Sequence, residues 1–341
     1  MKFGVMAMPQ HPSTDSATQR FHETVELTRL ARDAGFSSIA CGQHFLSPPY
    51  QNLQSIPLLA RLAADSGDMQ LVLSILLLPL YSPADVAETV ATLDVISEGR
   101  VVLGVGLGYR DIEYQAFNVE RRHRVGRFLE SLELVQRLWT EDEVTFHGRH
   151  FNLDNATCAI HPVQQPHPPI WVAANFDTVV RRAGELGLPW FVNPHATLET
   201  LERQTAIYME GLEAGGKEMP PEMPIIKEMH IAPTHEEAVR NAQPYMEAKY
   251  QAYADWGQDK ALPGDEDFRI PFEELARDRF ILGSSEEVIQ QIEDHRQRVG
   301  ANHFMFRIWY PGMDARMAMR VVEQMGDSVI PYFESRYGDE E

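Results

Sequence analysis

Short apolar runs alternate with longer stretches of helical periodicity along the whole chain, and this alternation constrains the fold more than any single motif. Eight runs read as strands: residues 2–8, 36–41, 69–78, 100–105, 170–174, 190–193, 224–231 and 303–308. Between them, apolar residues recur at helical spacing, as with Phe21, Val25, Leu27, Leu30 and Ala31 within 16–34. Gly35 follows that segment at a C-cap position; Ser82 and Pro83 open the next clear helix, and Gly99 ends it. Strands that are apolar throughout belong in a parallel sheet covered on both faces. Eight such units in this length predict a closed (β/α)8 TIM barrel, with an open doubly wound sheet as the second choice.

The chain has 341 residues, 44% of them apolar, enough for one large core. No linker, fixed-period repeat or change of composition divides it, so residues 1–341 are expected to form one domain. Two irregular stretches, 145–167 and 257–279, read as insertions into the barrel. The formal net charge of −20 argues against a nucleic-acid backbone or an anionic membrane as partner. The longest apolar run, 71–80, suits a buried strand and is too short for a transmembrane span; the first ten residues lack the features of a signal peptide. Cys41 and Cys158 make no disulfide framework, which fits a reducing, cytoplasmic setting. Glu334, Asp339, Glu340 and Glu341 read as a solvated tail.

A barrel of this kind carries its active site at the C-terminal ends of its strands, so the residues that follow each apolar run are the candidates. They are Met8, Pro9, Gln10 and His11; Gly42, Gln43 and His44; Ser74 within the third run; Gly106, Gly108 and Tyr109; Asn175, Asp177 and Thr178; and Trp309 with Tyr310. The run from Gly104 to Gly108 follows a strand but lacks the third glycine of a dinucleotide-binding GxGxxG, because Tyr109 stands there. Its glycines suit close approach of a flat ligand, or tight packing at a barrel rim. The 13 histidines form no HExxH or other metal spacing, so no metal site is expected. There is no GxSxG nucleophile elbow. His44, at a strand end, suits either a structural or a chemical role.

Several segments, taken in order, resemble the bacterial luciferase-like family of flavin-dependent oxidoreductases over nearly the whole chain. They are MKFGVMAM, ARDAGFSSIACGQHF, LLPLYSPADVAETVATLDVISEGRVVLGVGLGYR, HRVGRFLESLELVQRLW and HPVQQPHPPIWVAAN, with RFILGSSEEV near the end. The third is the most specific, with its LD-x-S-x-GR pattern leading into a glycine-rich strand end.

The resemblance implies a (β/α)8 barrel, usually a homodimer, that binds FMN or a deazaflavin. It implies cofactor contacts at Met8, at Ser74 and Ile75, where relatives often hold a non-prolyl cis peptide, and at Gly106, Leu107 and Tyr109 along the flavin. Asn175, Phe176, Asp177 and Thr178 fall where relatives bind the cofactor phosphate at a helix N-terminus. Arg124 matches a basic residue able to pair with that phosphate. Gln43 and His44 are the candidates for catalysis, His44 as acid or base. Four departures from the family pattern stand out: Gln43 replaces the first of two histidines, Leu107 an arginine, and Phe176 a small hydroxyl residue, while Asp177 opposes phosphate unless it turns away. The expected function is that of an FMN-dependent monooxygenase using reduced FMN and oxygen on a small organic substrate. A deazaflavin-dependent hydride-transfer enzyme and a non-catalytic flavin-binding protein are the alternatives.

Overall fold

The computed structural model describes residues 1–8, 10–264 and 266–338. Pro9, and the tail residues Asp339, Glu340 and Glu341, lie outside the described residues. Nine strands build the main sheet: β1 (Lys2–Met6), β2 (Ser38–Cys41), β3 (Gln70–Leu77), β4 (Val101–Gly106), β5 (Ile170–Ala173), β6 (Trp190–Phe191), β7 (Pro224–Ile231), β8 (Ile281–Gly283) and β9 (His303–Arg307). Every pairing is parallel, and the order is β6-β5-β4-β3-β2-β1-β9-β7-β8. Successive strands lie side by side except that β9 pairs with β7 and leaves β8 at the edge, and the sheet curls. Val192, just past β6, makes a parallel bridge to Ile225 of β7. All eight runs identified in the sequence become strands. The ninth, β8, was not among them, because three residues are too few to show a period.

The helices that cover the sheet are α1 (Ala17–Asp33), α2 (Ser55–Leu62), α3 (Pro83–Ile96), α4 (Arg124–Thr140), α5 (Asp177–Leu186), α6 (Leu198–Gly215), α7 (His235–Asp255), α8 (Ser285–Val299), α9 (Ala315–Gln324) and α10 (Ile330–Tyr337). Local chemistry sets several ends. Ser16 accepts the Gln19 N–H, and Ser284 with Glu287 forms a full capping box at α8. Alternate residues of the strands divide two cores. Val5, Ile39, Leu71 and Leu103 join the large cluster under the helices. Met6, Ala40, Val72, Val102, Trp171, Phe191, Ile226 and Met305 form a separate inner cluster.

The polar residues of the LD-x-S-x-GR stretch turn out to serve the fold. Buried Asp94 accepts the N–H groups of Val163 (2.7 Å) and Gln164 (3.0 Å) and so ties a distant loop to the end of α3. Arg100 donates to the carbonyls of Met69 and Ala63. Within 145–167 lies an antiparallel hairpin, Val144–His147 with Asn152–Ala156, instead of an irregular insertion. Glu130 of α4 holds its turn by accepting from the N–H groups of Arg149, His150 and Phe151 at 2.9–3.1 Å. The hairpin is largely solvent-exposed, so it carries no apolar alternation to read. Residues 257–279 contain one tight turn, Asp259–Ala261, and a five-residue helix, Phe272–Ala276. The closing helix is broken by a wide turn at Met325–Val329. No helix among the described residues is long and apolar enough to cross a membrane.

Candidate functional site

The C-terminal ends of the strands open into a cavity of about 720 Å³. Ile75, Ala173, Phe191 and Ile226 belong both to the inner core and to the cavity wall, so the inner cluster forms its base. Of the positions singled out in the sequence, Gln43, His44, Ser74, Ile75, Leu107, Tyr109, Arg124, Asn175, Phe176 and Thr178 line it, as does Gln10. His11, Trp309, Tyr310 and three of the expected cofactor contacts do not reach its wall. Met8 is buried in the outer core. Gly106 packs on Ile75: a Cβ there would lie 2.2 Å from Ile75 Cδ1, so its missing side chain makes room for Ile75 and not for a ligand. Asp177 turns outward to Arg203 (2.6 and 3.0 Å) and Gln204 (2.9 Å). Trp309 and Tyr310 are buried away from the cavity.

Ser74–Ile75 is a cis peptide, and the β3–β4 register shifts between Leu73 and Leu76. Gly42 lies against it; a Cβ at Gly42 would come within 3.1 Å of the Ser74 carbonyl oxygen. Gln43 donates to the Tyr81 hydroxyl at 2.8 Å and accepts the Leu77 N–H at 3.3 Å. Gln43 thus braces the end of β3 from the side.

His44 meets Glu113, a residue that no pattern in the chain marks out. The imidazole Nδ1 lies 3.2 Å from Glu113 Oε1, and the same carboxylate accepts the Phe45 N–H at 3.0 Å and an Arg110 N–H at 3.3 Å. Burial alone would raise the Glu113 carboxyl, but His44, the Phe45 N–H and Arg110 together hold it below the ordinary glutamate range. His44 also lies edge-on to Tyr109 and Tyr253 and 5.5 Å from the Trp256 ring. A histidine at a cavity wall, backed by an ionised carboxylate, can hold or pass a proton.

At the outer end, α5 points its N-terminus at the cavity through Phe176 and Thr178. The Val179 and Val180 N–H groups bond to the Phe176 carbonyl, leaving those of Asp177 and Thr178 at the free end of the helix. Arg203 holds the Asp177 carboxyl below its usual range, so its charge is spent outward. Arg121, Arg124 and Lys260 line the same end. Arg121 pairs with Asp111 and Lys260 with Asp259. Arg124 forms no ion pair among the described residues; Glu120 is taken by Arg122 and Glu130 by the hairpin turn.

A second group of charges lies behind the cavity wall and reaches it through Arg307. Glu228 and Lys249 are fully buried and hydrogen-bonded to each other, and the Arg307 Nε lies 3.9 Å from Glu228. Arg307 donates to the Tyr253 hydroxyl at 3.3 Å, and that hydroxyl donates to Gln10 Oε1 at 2.8 Å. Burial opposes charge on Arg307, but Tyr253 and Glu228 outweigh it and hold the guanidinium firmly protonated. Burial and the nearby Arg307 bring Lys249 down to about 7. A signal for this group was present in the sequence: Lys227 and Glu228 interrupt the largely apolar PIIKEMHI, and Arg307 interrupts the largely apolar HFMFRIW. Among the described residues there is no cluster of three His, Cys, Asp or Glu that could hold a metal.

Comparison with known proteins agrees with this architecture. The family model described as luciferase-like monooxygenase matches residues 1–303. The oxygenase component of the flavin-dependent trigonelline monooxygenase of Acinetobacter baylyi is 25% identical, across 98% of this chain and 96% of that protein. The F420-dependent glucose-6-phosphate dehydrogenase of Kineococcus radiotolerans is 28% identical, across 88% of this chain and 90% of the other. Among solved structures, the monooxygenase RslO1 from Streptomyces bottropensis superposes with a TM-score of 0.85 at 26% identity, covering 98% of this chain and 100% of that one. The family includes both flavin-dependent monooxygenases and F420-dependent oxidoreductases. This chain belongs to the luciferase-like monooxygenase family.

Proposed function

We propose that the chain is an FMN-dependent monooxygenase that uses reduced FMN and oxygen on a small organic substrate. The observation that carries this reading is a single cavity with two differently equipped ends. Its outer end has a helix N-terminus and an unpaired Arg124, suited to a phosphate. Its inner wall has the apolar surface of Ile75, Ala173 and Val192 beside the cis peptide, suited to a flat ring. Asn175, Thr178 and Arg124 would hold the phosphate, and Ser74, Ile75, Leu107 and Tyr109 the ring. FMN, once reduced, supplies the electrons that activate oxygen. His44 with Glu113 holds a proton at the imidazole, and Gln43 keeps the end of β3 in place. The sheet is that of a (β/α)8 barrel, joined through the Val192–Ile225 bridge, with β8 as a short spur.

The 28% identity to an F420-dependent dehydrogenase favours a second reading, hydride transfer with a deazaflavin coenzyme. Titration of the chain with FMN and with F420, each followed by its absorbance shift, separates the two. Tighter binding of FMN, and oxygen uptake in the presence of reduced FMN and substrate, are expected. Exclusive binding of F420 would select hydride transfer, and binding without turnover would mean a flavin carrier. A homodimer is also expected, formed in part through the exposed Val95 and Ile96 at the end of α3; light scattering should give twice the chain mass of 38.8 kDa.

A further inference from the structure

The cavity holds more hydrogen-bond donors than the protein itself can satisfy. Five buried polar side-chain atoms of its lining residues lack a hydrogen-bond partner among the described residues: Gln10 Nε2, Asn193 Nδ2, Arg307 Nε, the Tyr109 hydroxyl and Asn52 Oδ1. Of these, only Asn52 Oδ1 is solely an acceptor, and Asn52 also borders a smaller neighbouring cavity. Asn193 Oδ1 accepts the N–H groups of His195 (2.9 Å) and Ala196 (3.1 Å), which fixes that amide's orientation, and Gln10 Oε1 accepts from the Tyr253 hydroxyl. The NH2 group of each is therefore the free end. Arg307 makes a single hydrogen bond among the described residues, to Tyr253, and leaves the rest of its guanidinium donors free. Buried polar groups without partners are costly, and a charged one more so, unless a ligand completes them.

Arg307 carries the fixed positive charge of this region. Glu228 is hydrogen-bonded to Lys249, lies 3.9 Å from the Arg307 Nε, and leaves its Oε2 without a hydrogen-bond partner among the described residues. His195 adds no charge, because burial and Lys249 push it well below the ordinary histidine range. A local positive site inside a chain of net charge −20 is a feature of the tertiary structure, not of the composition. His44 and Arg307 stand on either side of Tyr253: the His44 ring lies 6.1 Å from the tyrosine ring, and Arg307 donates to its hydroxyl.

We propose that the substrate is an organic anion carrying a carboxylate, held by Arg307 with Gln10 and Asn193 beside it. This assignment rests on the oxidoreductase reading above, and it adds the class of molecule on which the enzyme acts. A planar guanidinium with free donors matches a carboxylate in shape as well as charge. Tyr253, Trp256 and Phe191 line the cavity and suit the body of a flat, ring-containing acid. Arg307 fixes where such a molecule sits, and His44 is left facing the part of it that projects toward the cavity wall.

Benzoate and its neutral counterpart benzamide test this by calorimetric titration of the full chain, with and without FMN. The wild type is expected to bind benzoate at least about tenfold more tightly than benzamide, the scale of one hydrogen bond to a charged group. Arg307→Gln should abolish that preference, and Glu228→Gln, which raises the local positive charge, should strengthen benzoate binding. A merely structural role for Arg307 would weaken both probes alike. Equal binding of the two by the wild type, or binding of neither at millimolar concentration, overturns the assignment. So does a benzoate preference that survives Arg307→Gln. A riboflavin titration of Arg307→Gln covers the rival occupant: loss of riboflavin binding with the benzoate preference intact would give Arg307 to the cofactor and overturn the proposal. A wild-type chain that binds no FMN yet keeps an Arg307-dependent benzoate preference would refute the cofactor assignment and support this one.

Discussion

Arg124 and His44 occupy the two ends of one cavity and make different demands on a test. Arg124 reaches the cavity wall with no carboxylate to neutralise it, beside the free N–H groups of α5. Arg124→Ala should weaken FMN binding by about 1.5–3 kcal/mol, as for a hydrogen bond to a charged group, and leave riboflavin nearly unchanged. Equal losses for FMN and riboflavin would mean that Arg124 shapes the mouth and does not read the phosphate. His44 is held by Glu113 and faces aromatic rings. His44→Gln should lower kcat by about 10²-fold, the scale of general acid–base assistance, with little change in the FMN dissociation constant. Unaltered turnover in steady-state assays would reduce His44 to a packing residue.

At the level of elements, two neighbouring glycines of β4 differ in what surrounds them. A Cβ on Gly104 would lie 2.2 Å from the backbone carbonyl oxygen of Leu73 in β3 and 3.3 Å from the Phe191 ring. Neither strand can move without opening the sheet, so Gly104→Ala should cost roughly 1–3 kcal/mol of overpacking strain, read as a lower urea midpoint. A Cβ on Gly106 meets only the Cδ1 end of Ile75, which can rotate away. Gly106→Ala should therefore keep the midpoint and narrow the cavity where Ile75 lines it. An identical shift in midpoint for both variants would contradict the distinction. The GxGxG run is thus a packing feature first, with Leu107 and Tyr109 rather than Gly106 presented to the cavity.

Across the whole molecule, buried histidines set the acid limit of stability. Burial, with Arg20 nearby, lowers His11 to about 4; burial, with Arg320, lowers His230 to about 4; burial, with Lys227, lowers His295 to about 3. The unfolded chain binds these protons near 6.5, the folded chain only below about 4, so stability is lost as pH falls from about 6.5 toward 4. Each histidine should contribute roughly 2 kcal/mol of loss by pH 5. Urea unfolding at pH 7.5 and pH 5 should show a clearly lower midpoint at pH 5. A midpoint that stays constant over that interval would mean that these rings are already protonated, or reach solvent, in the folded state.

Periodicity is a local property, and what depends on it was legible in the chain itself. The eight apolar runs, the helices between them and the glycines at 35 and 99 that end two of those helices follow from residues within a few positions of one another; Ser82, read as the cap of α3, stands at its N-cap but makes no side-chain capping hydrogen bond. So does the expectation that a site lies at the C-terminal ends of the strands, since in a parallel sheet all strand ends of one kind share a face. The tertiary structure alone decided the partners. His44 and Glu113 are 69 positions apart, and Lys249 and Glu228 meet from a helix and a strand. Whether a charge in an apolar strand faces the helices or the cavity depends on the register of the curled sheet. Lys227 and Glu228 are adjacent in β7, yet Glu228 joins Lys249 and Arg307 while the Lys227 ammonium is buried without a partner. Sequence marks such residues as costly to bury; only the packing of distant segments around them determines whether each is paired, orphaned or left for a ligand.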